Sequence, residues 1–165
     1  MTGRAIVVMG VAGSGKTSVG ERLAAHYGCP FRDADEFHPA ANIAKMSVGI
    51  ALNDDDRWPW LDAIAAAIRD AAPNGIVVAC SALKRVYRER ISERAARPVT
   101  FVFLDGSLAT LRQRIGGRRG HFMPPSLLDS QLATLERPSP DEDAVRVSID
   151  APLKRVVAAA IAALG

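Results

Sequence analysis

Gly10-Val11-Ala12-Gly13-Ser14-Gly15-Lys16-Thr17 is the stretch on which the reading of this chain turns. It satisfies the spacing GxxxxGK[ST] at every position. It directly follows the apolar run Ala5–Met9 and opens the segment Lys16–Tyr27, in which Val19, Leu23 and Tyr27 recur at helical spacing. Glycines let the backbone curl so that successive N–H groups point inward as an anion nest. A helix beginning near Lys16 adds the positive end of its dipole. Gly10, Val11, Ala12, Gly13, Ser14 and Gly15 are therefore read as a cradle for phosphates. Lys16 reaches the β- and γ-phosphates, and the Thr17 hydroxyl ligates Mg²⁺. ATP and Mg²⁺ follow as the expected cofactors.

Outward from the loop, apolar runs alternate with amphipathic segments. Strands are expected at Ala5–Met9, Phe31–Ala34, Ile76–Cys80, Thr100–Leu104 and Val145–Ile149. Helices are expected at Lys16–Tyr27, Pro39–Val48 with Ile43 and Met46 inward, and from Asp54 as cap through Trp58, Leu61, Ala65 and Ile68. Further helices are expected at Arg85–Ala96, Leu108–Ile115, Leu127–Leu135 and Leu153–Leu164. The fold class is α/β, a three-layer arrangement with a five-stranded parallel sheet. The 165 residues suit one P-loop kinase domain over 1–165.

Composition excludes several classes. A net charge of +3 is too small to argue for nucleic acid, and the run Val156–Leu164 is too short to span a bilayer. After Arg4 the apolar run ends at once in glycines, unlike a secretory leader, so a cytoplasmic location is expected. Cys29 and Cys80 have no metal-ligand spacing and read as buried thiols.

Asp33-Ala34-Asp35 falls where the second strand would end, and ligands of open parallel sheets bind beyond the carboxyl ends of the strands. An extended segment would put both carboxylates on one face. Asp35 is assigned as the base that orients an alcohol and takes its proton late; Asp33 is assigned to the outer shell of the metal. Asp105, after the fourth strand, stands at a Walker B position but is read as a turn or cap residue, since the paired acids already serve the metal. Gly116-Gly117-Arg118-Arg119-Gly120 reads as a swinging cationic loop, with Arg118 and Arg119 carrying charge to the transferring phosphoryl. A base-reading NKxD element is absent from the sequence, which favours a small-molecule kinase over a GTPase switch.

Further blocks resemble the gluconate kinase family, within the shikimate-kinase-like P-loop fold. They are Asp33-Ala34-Asp35-Glu36-Phe37-His38-Pro39, Asn42-Ile43-Ala44-Lys45-Met46, Leu52-Asn53-Asp54-Asp55-Asp56-Arg57 with Pro59-Trp60-Leu61, Cys80-Ser81-Ala82-Leu83-Lys84 with Tyr87-Arg88, and Ser130-Gln131. The resemblance runs over nearly the whole chain. It implies transfer of phosphate from ATP to the 6-hydroxyl of D-gluconate, a sheet order of 2-3-1-4-5 and a mobile lid over about 116–125. It also implies substrate-binding helices over about 39–70, and a homodimer. The substrate residues it implies are Asp35, His38, Arg57, Lys84, Arg88 and Gln131. Of Arg112 and Arg114, one would lie against adenine as in relatives, and Arg114 is taken as the nucleotide-binding residue. The residues themselves agree: a carboxylate substrate calls for a cation, ideally the planar fork of an arginine, and Arg57, Lys84 and Arg88 are the candidates. The sequence departs from the family in Ala34, where glycine is common, and in Asp105. Alternatives are a shikimate or other small sugar-acid kinase, against which Cys80–Lys84 replaces a glycine triplet, and an ATP-gated module without turnover.

Overall fold

β1 (Ala5–Met9) is the axis of the molecule. All five of its residues are buried, as a strand covered on both faces by helices must be. The computed structural model describes residues 3–116 and 125–165. Within them, β2 (Phe31–Asp33), β3 (Ile76–Ala79), β4 (Val99–Asp105) and β5 (Ala144–Ser148) join β1 in one sheet. The order is β2-β3-β1-β4-β5 and every pairing is parallel. The expected sheet and its order are thus found.

The register positions the site. Val8 pairs with Ala79, Met9 with Phe103 and Asp33 with Ala79. The carboxyl ends of β1, β2 and β3 therefore lie level, and Gly10, Ala34 and Cys80 leave the sheet side by side. The Gly10 amide donates to the Ser81 carbonyl at 3.3 Å, tying the first of these exits to the third.

Alternation along β1 divides the core. Ala5, Val7 and Met9 pack with Trp60, Leu61, Ile64 and Ile68 of α3 (Asp54–Arg69) and with Tyr87 and Ile91 of α4 (Arg85–Ala95). Ile6 and Val8 face Val19 and Leu23 of α1 (Lys16–Tyr27) and Val156, Ala160 and Leu164 of the helix Leu153–Leu164. Each fully buried Ile or Leu contributes roughly 1.5–3 kcal/mol, so both helical layers are held by burial rather than by their own propensity. α2 (Ala40–Ser47), α5 (Leu108–Gly116) and α6 (Pro125–Thr134) precede the last helix, which is α7.

Three local expectations are corrected. The second strand stops at Asp33, and Ala34–Phe37 forms a 3₁₀ turn, because Asp33 and Glu36 close a capping box across it. Asn53, not Asp54, caps α3, again with a reciprocal partner, Asp56. In α2, Ile43 and Met46 are exposed and Asn42 is the buried residue, because the helix lays a polar side chain against α3.

Candidate active site

The phosphate loop is shaped by backbone strain that only glycine tolerates. Gly13 and Gly15 have φ of 83° and 90°, in the left-handed region. A Cβ at Gly13 would stand 2.8 Å from Ile115 Cγ1, so the loop is also pressed against α5. Gly15 opens α1 as its N-cap, without a side chain over the helix end, which leaves the dipole facing the loop. Inside the curl, the Ser14 hydroxyl is wholly buried. Lys16 Nζ donates to the Val11 carbonyl at 3.1 Å, folding the side chain back over the loop.

One cavity of about 220 Å³ gathers both halves of the expected chemistry. Its walls include Ala12, Gly13, Gly15, Lys16 and Thr17 from the loop, Asp33 and Asp35 from the 3₁₀ turn, Ser81 past β3, and Gln131 of α6. The pair of acids is not extended, yet both reach this cavity, because the turn swings Asp35 about Asp33. Asp33 also spends one carboxylate oxygen on the Asp35 amide, at 3.0 Å. Burial and then the Asp33 charge raise the Asp35 carboxyl, while His38 and Lys16 pull it down; the net is upward. A carboxylate moved in that direction is a better proton acceptor for an alcohol.

Beyond Asp35 the groups continue outward. The His38 ring stacks on Trp60, with centroids 4.4 Å apart and planes within 8°. Trp60 in turn donates its indole N–H to the Ala34 carbonyl at 2.7 Å, fastening the turn that carries Asp35. Burial lowers the His38 pKa; Asp35 opposes and Arg57 assists. Further out, Arg57 Nη1 donates to Tyr87 Oη at 3.2 Å and to Asp54 Oδ1 at 3.3 Å, and Lys84 Nζ lies 3.7 Å from Asp54 Oδ2. Two cations, Arg57 on α3 and Lys84 at the cap of α4, converge on the single Asp54 carboxylate.

Arg88 is a correction. Expected beside Lys84 as a substrate cation, it is only 1% exposed. Its guanidinium grips Glu142 through Nε at 2.6 Å and Nη2 at 3.2 Å, and Nη1 donates to the Ala82 and Leu83 carbonyls. It turns inward because the helix face four residues from the cap Lys84 faces the protein interior and not the cavity. Its work is to hold the segment after β3. Gln131, expected at the substrate, lines the shared cavity, where its Oε1 accepts the Ala12 amide at 2.6 Å. Arg118 and Arg119 lie outside the described residues.

The profile of the shikimate kinase family matches residues 12–161. A gluconokinase of Gluconobacter oxydans (strain 621H) is 50% identical over 147 residues, covering 88% of this chain and 82% of that protein. The chain belongs to the gluconokinases of the shikimate kinase family. Two more gluconokinases agree. The thermosensitive enzyme of Escherichia coli (strain K12) is 44% identical over 94% of this chain and 84% of its own. The crystal structure of a gluconokinase from Sinorhizobium meliloti 1021 superposes with a TM-score of 0.88 at 52% identity, covering 98% of this chain and 91% of that one.

In this gluconokinase-family chain, α5 and the segment after β5 also border the loop. Arg114 Nη2 donates to the Ile149 carbonyl at 2.8 Å and to the Ala151 carbonyl at 3.3 Å, and Nη1 lies close to Gly15. Thr110, Arg114, Ile149, Asp150 and Ala151 line a separate open cavity of about 500 Å³ beside the loop. Asp105 lines neither cavity, and Arg146 at 2.6 Å and Arg137 at 2.9 Å both engage it. Burial pushes the Cys80 thiol up to about 12, so it is inert as a nucleophile. Cys29, expected buried, is only half-buried. Asn42, Asp54, Trp60 and Tyr87 escape sequence reasoning as site residues. The signals at hand are their place in the blocks that resemble the family and the i, i+3 spacing of Asp54 with Arg57 and of Lys84 with Tyr87.

Among the described residues, no three His, Cys, Asp or Glu side chains converge as a metal cage. The donors at hand are the Thr17 hydroxyl and the Asp33 carboxylate, both oxygen, in the cavity under the anion nest. That set fits Mg²⁺, which takes few protein oxygens and fills its octahedron with phosphates and water.

Proposed function

We propose that this kinase transfers the γ-phosphoryl group of ATP to the 6-hydroxyl of D-gluconate, giving 6-phosphogluconate and ADP. The observation that carries the reading is the single cavity shared by the Lys16 loop and Asp35, with Arg57 and Lys84 further along the same line of groups. The nest over 10–17 holds the phosphates, and Lys16 spreads the charge of the β- and γ-groups. Thr17 and, in its outer sphere, Asp33 would hold Mg²⁺, which supplies charge neutralisation at the phosphate oxygens. Asp35 orients the primary alcohol and accepts its proton as the new O–P bond forms. Arg57 and Lys84 receive the carboxylate at the far end; among the described residues Arg57 donates through Nη1 alone, to Asp54 and Tyr87, which leaves the rest of its fork for the substrate. Arg114 borders the adenine side. Arg118 and Arg119 keep the sequence-based role of adding positive charge over the γ-phosphoryl group.

We place the enzyme in the cytoplasm as a homodimer. The resemblance to the family supports the dimer, and no described helix is long and apolar enough to cross a membrane. The test is coupled ADP detection with purified protein, Mg²⁺ and ATP. Gluconate elicits ADP, whereas shikimate and nucleoside monophosphates elicit far less; the absence of gluconate-dependent ADP defeats the reading.

A further inference from the structure

Asn42 is 3% exposed on a helix whose other residues are exposed or half-buried, a polar side chain buried where α2 meets α3. Its Nδ2 lies 2.9 Å from the Asp56 carbonyl oxygen and 3.3 Å from His38 Nδ1. The first contact fixes the amide. A carbonyl oxygen only accepts, so the NH₂ end must face Asp56; a flipped Asn42 would press oxygen on oxygen. The same NH₂ group then faces His38 Nδ1, and an NH₂ group only donates. His38 Nδ1 must therefore carry its lone pair, and the proton of the neutral ring sits on Nε2.

From this we infer that Asn42 is a positioning residue that locks His38 as the Nε2–H tautomer and presents that N–H as a fixed donor to an acceptor hydroxyl. The inference rests on the gluconate kinase reading above for the identity of that hydroxyl. The lock is rigid on every side. The ring stacks on Trp60, which is tied to the Ala34 carbonyl, and α2 is pinned a second time by Lys45 Nζ on Asp56 Oδ2 at 2.7 Å. The charges facing the ring are the Asp35 carboxylate and the Arg57 guanidinium. Protonating Nδ1 would set donor against donor at Asn42 and cation against cation at Arg57, with only Asp35 in favour. His38 thus serves as a neutral donor and leaves the proton of the alcohol to Asp35. A sugar acid offers several hydroxyls in a row, and a donor of known place beside the base helps select the one that reacts.

The experiment uses the full chain, ¹⁵N-labelled, with imidazole nitrogen spectra assigned by H38Q. Ligand-free wild type shows His38 neutral with the proton on Nε2. N42D replaces the donor by an acceptor and moves the proton to Nδ1 or charges the ring; N42S mixes the tautomers. In both variants the gluconate KM rises several-fold to about tenfold while the KM for ATP stays put, as expected for one misdirected hydrogen bond. A wild-type proton on Nδ1, or a tautomer indifferent to N42D and N42S, overturns the inference, and the wild-type spectrum decides it even if a variant does not fold. A tautomer that moves while the gluconate KM stays constant overturns the positioning role. Absent turnover of gluconate by wild type would defeat the proposed function instead, since the spectrum needs no substrate.

Discussion

The two ends of the cavity are built in opposite ways. The phosphate end is one contiguous stretch, 10–17, whose donors are backbone amides held by glycine conformations and a helix terminus. The acceptor end draws side chains from the 3₁₀ turn, α2, α3 and the start of α4, and each is fixed by a partner on another element: Trp60 on Ala34, Asn42 on Asp56, Tyr87 on Asp54. A backbone nest is insensitive to most side chains and recognises what all phosphates share. A side-chain assembly can change residue by residue, which is what selection among acceptors requires. One end therefore defines the class of reaction, the other its substrate.

That contrast can be broken in several places. The largest effect is expected at the seam between the ends. Asp35→Asn keeps nucleotide binding, because the nest is untouched, but loses about 10²–10⁴ in kcat. Equilibrium titration with an ATP analogue beside steady-state rates checks this, and unchanged turnover would remove Asp35 from the role of base.

Next comes the support beneath the acceptor end. Glu142→Gln strands the buried Arg88 charge and costs about 3–5 kcal/mol in chemical denaturation. The pH dependence has a defined sign. Burial alone would raise the Glu142 carboxyl, but hydrogen bonds from Arg88 and from the Ser139 amide outweigh it and hold it below its ordinary value. The unfolded chain therefore binds the proton first. The stabilisation is complete above the ordinary glutamate range near pH 4.3 and fades as pH falls through the lower folded value. Melting curves of wild type should drop steeply over that acid window, and those of E142Q should be flatter; parallel curves would remove Arg88 from this role.

A smaller change is expected at the far end. Arg57→Ala raises the gluconate KM by about 10- to 100-fold through loss of charged hydrogen bonds, with the KM for ATP unaffected. Equal rises in both constants would show that the two ends are not separable. The smallest effect belongs to Asp105→Asn. Its carboxylate is engaged by Arg137 and Arg146 and lines neither cavity, so kcat should not move. A hundredfold fall in kcat would instead restore Asp105 as the metal's Walker B acid.

The sequence by itself determined the sheet, the loop and the face on which they meet. Ala5–Met9 is apolar throughout and therefore central. Gly13 and Gly15 stand where the backbone must turn left-handed, and the D-x-D pair ends a strand beside them. These are consequences of periodicity and local backbone chemistry, which span a few residues and are legible without knowing the rest. Tertiary structure alone decided how the long side chains were spent. Arg88 reads as well as Arg57 for a substrate cation, and only the approach of Glu142, 54 residues away, turns it into a buried strut. Asn42 draws no role from its sequence neighbours, and it is α3 packing on it that makes it the keeper of His38. The reason is physical: a charge or an amide goes wherever its desolvation is best compensated, and the compensating partner lies far off in sequence.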